Sequence, residues 1–182
     1  MKYFKKIVGD NLYLSPVCME DAEEYVKWFS DMKFSERLHQ AHRVNNIVSE
    51  KEWIENTLSK QEPSFAIVRK DDDSLIGNCG IMNIDSISRT ATVGIFIGDI
   101  ENRGKGYGSE ALKLLVTFGF NYLNLNNIDL NVFEFNENAM SCYKKVGFKE
   151  YGRRHKAYYC DGKYHDIVLM ELLKEDFENG CD

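Results

Sequence analysis

Three apolar runs, Phe65–Arg69, Leu75–Ile84 and Thr90–Ile97, follow one another with only short polar connectors between them, Asp71-Asp72-Asp73-Ser74 and Asp85-Ser86-Ile87-Ser88. A parallel crossover needs a dozen residues or more, so connections this short impose antiparallel pairing. The middle of the chain therefore reads as a three-stranded meander. Elements predicted on either side complete the order. Before it come a short strand at Leu12–Leu14 and a helix at Glu20–Phe29, whose Ala22, Tyr25, Val26 and Phe29 keep helical spacing. A second helix is expected at Lys51–Lys60, opened by a capping box from Ser49 to Glu52. Asp31–Val48 between them is polar and reads as a loop or short helix.

After the meander the spacing predicts a long helix at Ser109–Tyr122, with an apolar side broad enough to lie on a sheet. A strand at Ile128–Phe133 and a short helix at Asn138–Val146 follow, the latter ended by Gly147 as a left-handed cap. Strands at Phe148–Tyr151 and Ile167–Leu172 finish the chain, with Asp161-Gly162 turning it between Tyr158 and Tyr164. The order β-α-α-β-β-β-α-β-α-β-β is an α+β fold on a mixed sheet. No boundary divides it, so residues 1–182 are expected to form one domain. A chain of 182 residues can bury a core of its own.

The net charge is −6, which disfavours general binding to nucleic acid or to an anionic membrane surface. The N-terminal residues lack the apolar core of a signal peptide, and no window approaches a membrane span. The cysteines (Cys18, Cys79, Cys142, Cys160 and Cys181) are odd in number and never spaced C-x-x-C. They read as reduced thiols of a cytoplasmic protein, with no metal site.

Between the third meander strand and the long helix lies Arg103-Gly104-Lys105-Gly106-Tyr107-Gly108-Ser109. Alternate glycines let the backbone turn tightly and approach a ligand. The helix start adds unpaired N–H groups and the positive end of a dipole, and Arg103 and Lys105 add charge. This is a phosphate or pyrophosphate site in outline. The spacing fails as a P-loop. Gly106-x-Gly108-x-x-Ala111 fits a dinucleotide fingerprint literally, but a meander leads into it and Asp129 falls inside the next strand. A turn that binds nothing is the remaining alternative.

Arg103-Gly104-Lys105-Gly106-Tyr107-Gly108 also meets the pattern R/Q-x-x-G-x-G/A, and Asn136-Glu137-Asn138-Ala139-Met140-Ser141-Cys142-Tyr143-Lys144-Lys145-Val146-Gly147-Phe148 meets N-x-x-A-x-x-x-Y-x-K-x-G-F. With both motifs, in this order, the chain resembles the GNAT family of acyl-CoA-dependent N-acyltransferases. The wider pattern resembles its branch of ribosomal-protein N-terminal and spermidine acetyltransferases. The resemblance implies a GNAT-like, mostly antiparallel sheet flanked by helices, with central strands splayed to form a slot. It implies acetyl-CoA as cosubstrate, its pyrophosphate on the amides of Arg103–Ser109. The pantetheine arm would run beside Ile95, Phe96 and Ile97, as an added strand does.

The resemblance assigns Tyr143 as general acid to the departing thiolate, and a phenol with a pKa of about 10 is protonated for that work at neutral pH. The alternative for Tyr143 is a core aromatic, since it shares a helical face with Ala139 and Val146. Asn136 would hydrogen-bond the cofactor arm or cap the helix, Asn138 is the better simple N-cap, and Lys145 would contact phosphate or stand in solvent. Many relatives carry a Glu near the place of Thr92, so a direct carboxylate base is in doubt here; a water chain, Glu101 or Asp166 could replace it. His39 and His42, in the loop that in the family edges the acceptor site, are candidate bases or simply exposed loop histidines. Glu20, Asp21, Glu23, Glu24 and Glu36 could attract a polyamine or form a charged helix face. Tyr158, Tyr159 and Tyr164 could line the acceptor pocket or pair across strands.

The expected acceptor is a primary amine, either a small amine or polyamine or a protein N-terminus. The alternatives are an amino-sugar or antibiotic, or a non-catalytic acyl-CoA sensor on the same scaffold. The final hairpin could pair across a homodimer.

Overall fold

The computed structural model describes residues 2–180, so Cys181 lies outside the described residues. The strands are β1 (Ile7–Val8), β2 (Leu12–Pro16), β3 (Ser64–Arg69), β4 (Leu75–Asp85), β5 (Thr90–Ile97), β6 (Asn127–Phe133), β7 (Lys149–Cys160) and β8 (Lys163–Leu173). The helices are α1 (Ala22–Phe29), α2 (Met32–Glu36), α3 (Ile47–Ser59), α4 (Tyr107–Tyr122), α5 (Glu137–Val146) and α6 (Lys174–Asn179). The eight strands follow the order β1-β2-β3-β4-β5-β6-β8-β7. The α+β class and the meander are as expected. Pairing is antiparallel for β1–β2, β2–β3, β3–β4, β6–β8 and β7–β8, and parallel for β5–β6. That parallel pair joins Thr90, Ala91 and Thr92 to Asn127, Ile128 and Asp129 and ends there, although both strands run on. This is the splay. No helix among the described residues is long and apolar enough to cross a membrane.

Two compact units make up the chain. The first comprises Met1–Gly80 and Ile95–Leu114. Its core gathers Tyr3, Tyr13, Val17, Ala22, Tyr25, Trp28, Phe34, Ile54, Ala66 and Val68, with Phe29 and Phe96 packed against it. On α1, Ala22 and Tyr25 are buried and Phe29 packs against the core as the spacing predicts, while Trp28, which the spacing missed, is buried as well. The indole also donates to Asp99 Oδ1 at 3.1 Å, which favours turning Trp28 inward. α3 starts a turn before its predicted position. Asn46 is its N-cap, accepting from the Val48 and Ser49 N–H groups at 2.9 and 3.1 Å, and the Ser49 hydroxyl accepts from Asn46 N–H at 3.0 Å. Asn caps a helix as well as Ser does, which frees Ser49 for the reciprocal role inside the first turn. Glu110, early in α4, accepts from Asn11 N–H at 2.8 Å and from the Asn11 side-chain amide at 3.0 Å, tying the helix to the β1–β2 turn.

The second unit comprises Ile81–Gly94 and Leu115–Asp182. On β6, Ile128, Leu130 and Val132 are buried in alternation. α5 ends at Gly147, left-handed at φ +110°, as expected. β7 and β8 are far longer than the predicted Phe148–Tyr151 and Ile167–Leu172. The added length of β7 includes Arg153-Arg154-His155-Lys156-Ala157, exposed throughout and without apolar alternation. Arg153 and Arg154 pair with Val168 and Ile167 on β8, whereas His155, Lys156 and Ala157 fall where the register breaks.

Candidate active site

The glycine loop belongs to the first unit. β5 ends at Ile97, and Gly98 N–H donates to Ile76 C=O at 2.9 Å. A Cβ on Gly98 would stand 2.1 Å from the Trp28 ring, so only glycine lets the chain leave the strand across the indole. Phe96 is set by a ring cluster: its centroid lies 5.7 Å from both Phe29 and Phe34, 5.9 Å from Trp28 and 6.1 Å from Tyr25. Ile95 and Ile97 are half-buried.

A short 3-10 turn, Ile100–Asn102, then delivers Arg103. Its side chain turns back on the strand. Nε donates to Ile97 C=O at 3.1 Å, Nη2 donates to Gly98 C=O, and the guanidinium lies 5.0 Å from the Phe34 ring centroid. Burial, with Arg37 nearby, lowers its pKa from the usual arginine value. Arg103 thus braces the loop from beneath, while Lys105 is exposed.

Gly104 and Gly106 are left-handed at φ +74° and +89°. A Cβ at either would meet nothing within 4 Å, so the loop's outer surface is open. The first ladder bond of α4 runs from Glu110 N–H to Gly106 C=O at 3.0 Å. The amides of Tyr107, Gly108 and Ser109 come before that bond, at the positive end of a 16-residue helix. This geometry fits a diphosphate. The helix does join parallel strands, contrary to the meander argument against the dinucleotide reading. However, the parallel pairing stops after three residues, and Asp129 sits at its last rung, opposite Glu171 on β8.

The second motif belongs to the second unit. After β6 the chain turns with Asn136 N–H donating to Phe133 C=O at 2.8 Å, and α5 begins. Asn136, not Asn138, holds the N-cap position. Its side chain makes no cap bond, while its carbonyl accepts from Met140 N–H at 3.1 Å. Asn138 lies inside the first turn because the helix starts at Glu137. Tyr143 is 9% exposed, with its ring 6.2 Å from that of Phe148. Burial pushes its phenol well above the usual tyrosine value, so it stays protonated. Lys145 is exposed and, with Glu137, Met140, Ser141 and Lys144, lines an open depression of about 550 Å³. Tyr143 is not among its lining residues.

Other sequence candidates separate by environment. Thr92 holds the last β5–β6 rung. His39 and His42 have ring centroids 5.2 Å apart in the loop between α2 and α3. Glu101 is exposed. Asp21 is fully buried, accepting from the Tyr3 hydroxyl at 2.8 Å, Cys18 N–H at 3.0 Å and Lys2 Nζ at 3.0 Å, which removes it from any polyamine-facing surface. Desolvation and this carboxylate push the Cys18 thiol up to about 12. Tyr158 is buried, stacked 3.9 Å from Phe133, whereas exposed Tyr159 and Tyr164 form a cross-strand pair at 5.0 Å. Asp166 holds a partner the sequence did not suggest: His155 Nδ1, 2.9 Å from Oδ2.

Comparison with known proteins places these motifs in one lineage. Residues 11–149 match the acetyltransferase (GNAT) domain. The chain is 27% identical over 172 residues to the SPbeta prophage-derived uncharacterized N-acetyltransferase YokL of Bacillus subtilis, covering 93% of this chain and 94% of that protein. It is 34% identical over 107 residues to the putative ribosomal N-acetyltransferase YdaF of the same organism, covering 59% of this chain and 58% of that one. The fold matches spermidine N-acetyltransferase from Vibrio cholerae, solved with CoA and spermine, at TM-score 0.84 and 22% identity over 94% of this chain and 100% of that one. The chain belongs to the GNAT family of acetyl-CoA-dependent N-acetyltransferases.

Proposed function

We propose that the protein carries the acetyl group of acetyl-CoA directly to a primary amine within a ternary complex, with Tyr143 as general acid. The observation that carries this reading is the loop at the head of α4, with two left-handed glycines under open space and helix-start amides beside them. Amides of Gly104–Ser109 hold the diphosphate, and exposed Lys105 supplies charge. Main-chain groups of Ile95, Phe96 and Ile97 pair with the amides of the pantetheine arm. Asn136, whose side chain makes no cap bond, hydrogen-bonds that arm, and Lys145 meets phosphate. Asn138, on the exposed first turn of α5, adds a polar contact.

Burial keeps the Tyr143 phenol protonated, ready for the thiolate as the C–S bond breaks. The acceptor is a polyamine or other small amine, or a protein N-terminus. A spermidine acetyltransferase among the structural neighbours and a putative ribosomal acetyltransferase among the sequence relatives support these classes. A dodecameric structure of the Vibrio cholerae enzyme is a further neighbour, and the exposed Tyr159–Tyr164 pair offers this chain a self-association surface.

The test is release of free thiol from acetyl-CoA across spermidine, N-terminal peptides and aminoglycosides. Turnover with one class names the acceptor. Acetyl-CoA binding without turnover on any amine, unchanged by Tyr143→Phe, would instead mark a non-catalytic sensor.

A further inference from the structure

β7 and β8 lose register between Arg154 and Tyr158, so His155, Lys156 and Ala157 bulge outward with Asp166 near their centre. Lys156 is left-handed at φ +50°, a conformation that strains a residue with a side chain. One carboxylate holds the bulge. Asp166 Oδ1 accepts from Lys156 N–H at 2.9 Å, and Oδ2 lies 2.9 Å from His155 Nδ1. Asp166 is in turn fixed to the end of β6: its N–H donates to Glu134 Oε1 at 3.1 Å, and Glu134 N–H donates to its carbonyl at 3.1 Å. The imidazole side chain is 78% exposed, and Nε2 has no partner among the described residues.

Three features separate this pair from an ordinary surface ion pair, which contributes little. The backbone is strained to present it, and bulges of this kind re-aim side chains beside active sites. A carboxylate on Nδ1 fixes the tautomer with Nε2 as the acceptor, the arrangement of an oriented base. The pair also sits at the end of β6, directly before the helix that carries Tyr143. At Thr92 this chain has no carboxylate to act as base.

We propose that His155, oriented by Asp166, accepts the proton from the acceptor's ammonium group; this rests on the acetyltransferase reading above. The ammonium gives one proton to Nε2, and the freed lone pair attacks the thioester carbon. The C–S bond breaks, the thiolate takes the Tyr143 proton, and the proton shed by the new amide nitrogen returns to the phenol. The imidazolium then releases its proton to solvent. Asp166 is the carboxylate on the imidazole; Arg153 on β7 acts on that carboxylate in turn, Glu134 after β6 accepts from the Asp166 N–H, and His165 Nδ1 lies 3.5 Å from Glu134 Oε1.

The experiment compares wild type, His155→Gln and Asp166→Asn by kcat/KM against pH, with the best amine from the panel, and by acetyl-CoA affinity in calorimetry. His155→Gln is expected to lower kcat/KM at pH 7 about 100-fold, within the range for a general base. It should replace the wild-type acidic limb with a rate that climbs only with the neutral fraction of the amine, and leave acetyl-CoA affinity unchanged. The deficit should shrink as pH rises toward about 10, where a lysine-like amine loses its own proton. Asp166→Asn should lower kcat about tenfold with little change in KM, since the base remains but is no longer oriented. A His155→Gln enzyme with the wild-type rate and the wild-type acidic limb overturns the inference and leaves the acetyltransferase reading standing. A wild-type protein that releases no thiol with any amine overturns both.

Discussion

The glycine loop and the bulged hairpin are both polar and exposed, yet they are held by opposite means. Beneath the loop lies an aromatic floor: Gly98 crosses Trp28, Phe96 meets four rings, and Arg103 folds back over Phe34. Packing fixes its shape, and packing is indifferent to pH. The hairpin has no such floor at His155–Ala157; a single carboxylate and its hydrogen bonds hold the bulge. One region suits a rigid cradle for a constant ligand, the other a group that must change charge.

The sharpest way to break this contrast is to remove the floor. Trp28→Ala should cost about 3–5 kcal/mol in denaturant melts and weaken acetyl-CoA binding as the loop loses its shape. A variant with unchanged stability would show that the loop holds itself. Next is Gly106→Val, which places a branched side chain at φ +89° in the open space above the loop. Strain should take about 1–3 kcal/mol, and calorimetry should find acetyl-CoA affinity lost. Normal affinity would remove the diphosphate from this loop.

Tyr143→Phe should leave acetyl-CoA affinity intact and lower kcat about 100-fold. Because burial holds the phenol protonated, any alkaline limb of kcat below pH 10 should persist in this variant. The smallest effect concerns Asp166. The Lys156 N–H and the His155 imidazole hold its carboxyl below the usual range. A depressed carboxyl stabilises the fold above its unfolded value, near pH 3.9, and that contribution disappears as pH falls through the folded value. The melting-temperature gap between wild type and Asp166→Asn should therefore be present at pH 7 and close below about pH 4. A gap that persists into acid would deny the carboxylate its role in holding the bulge.

The same contrast governs what the sequence could reveal. The meander was legible because its connectors are too short for any other pairing, and the loop because glycines alternate ahead of an apolar helix. Gly147 could be read because a helix stop needs a left-handed residue. The hairpin was hidden. Continued without a bulge, the register that pairs Tyr158 with His165 would set His155 opposite Val168; the slip brings it to Asp166 instead. No spacing rule foresees that. Arg103 was legible as a residue of the motif but not in its direction, because a guanidinium next to a glycine turn can face either a ligand or the strand's last carbonyls. The start of α3 was misplaced because Asn46 and Ser49 can each serve as the cap.

Glu110 sets a condition on how this protein can be handled. Its carboxylate grips Asn11, and Gly9 passes so near that a Cβ there would lie 2.4 Å from Oε1. The opening turn of α4 is thereby moored to the chain's first hairpin. Trimming that leading segment, or crowding it with a fused affinity tag, would loosen the start of α4 and with it the proposed hold on coenzyme, at a place most engineers would regard as dispensable.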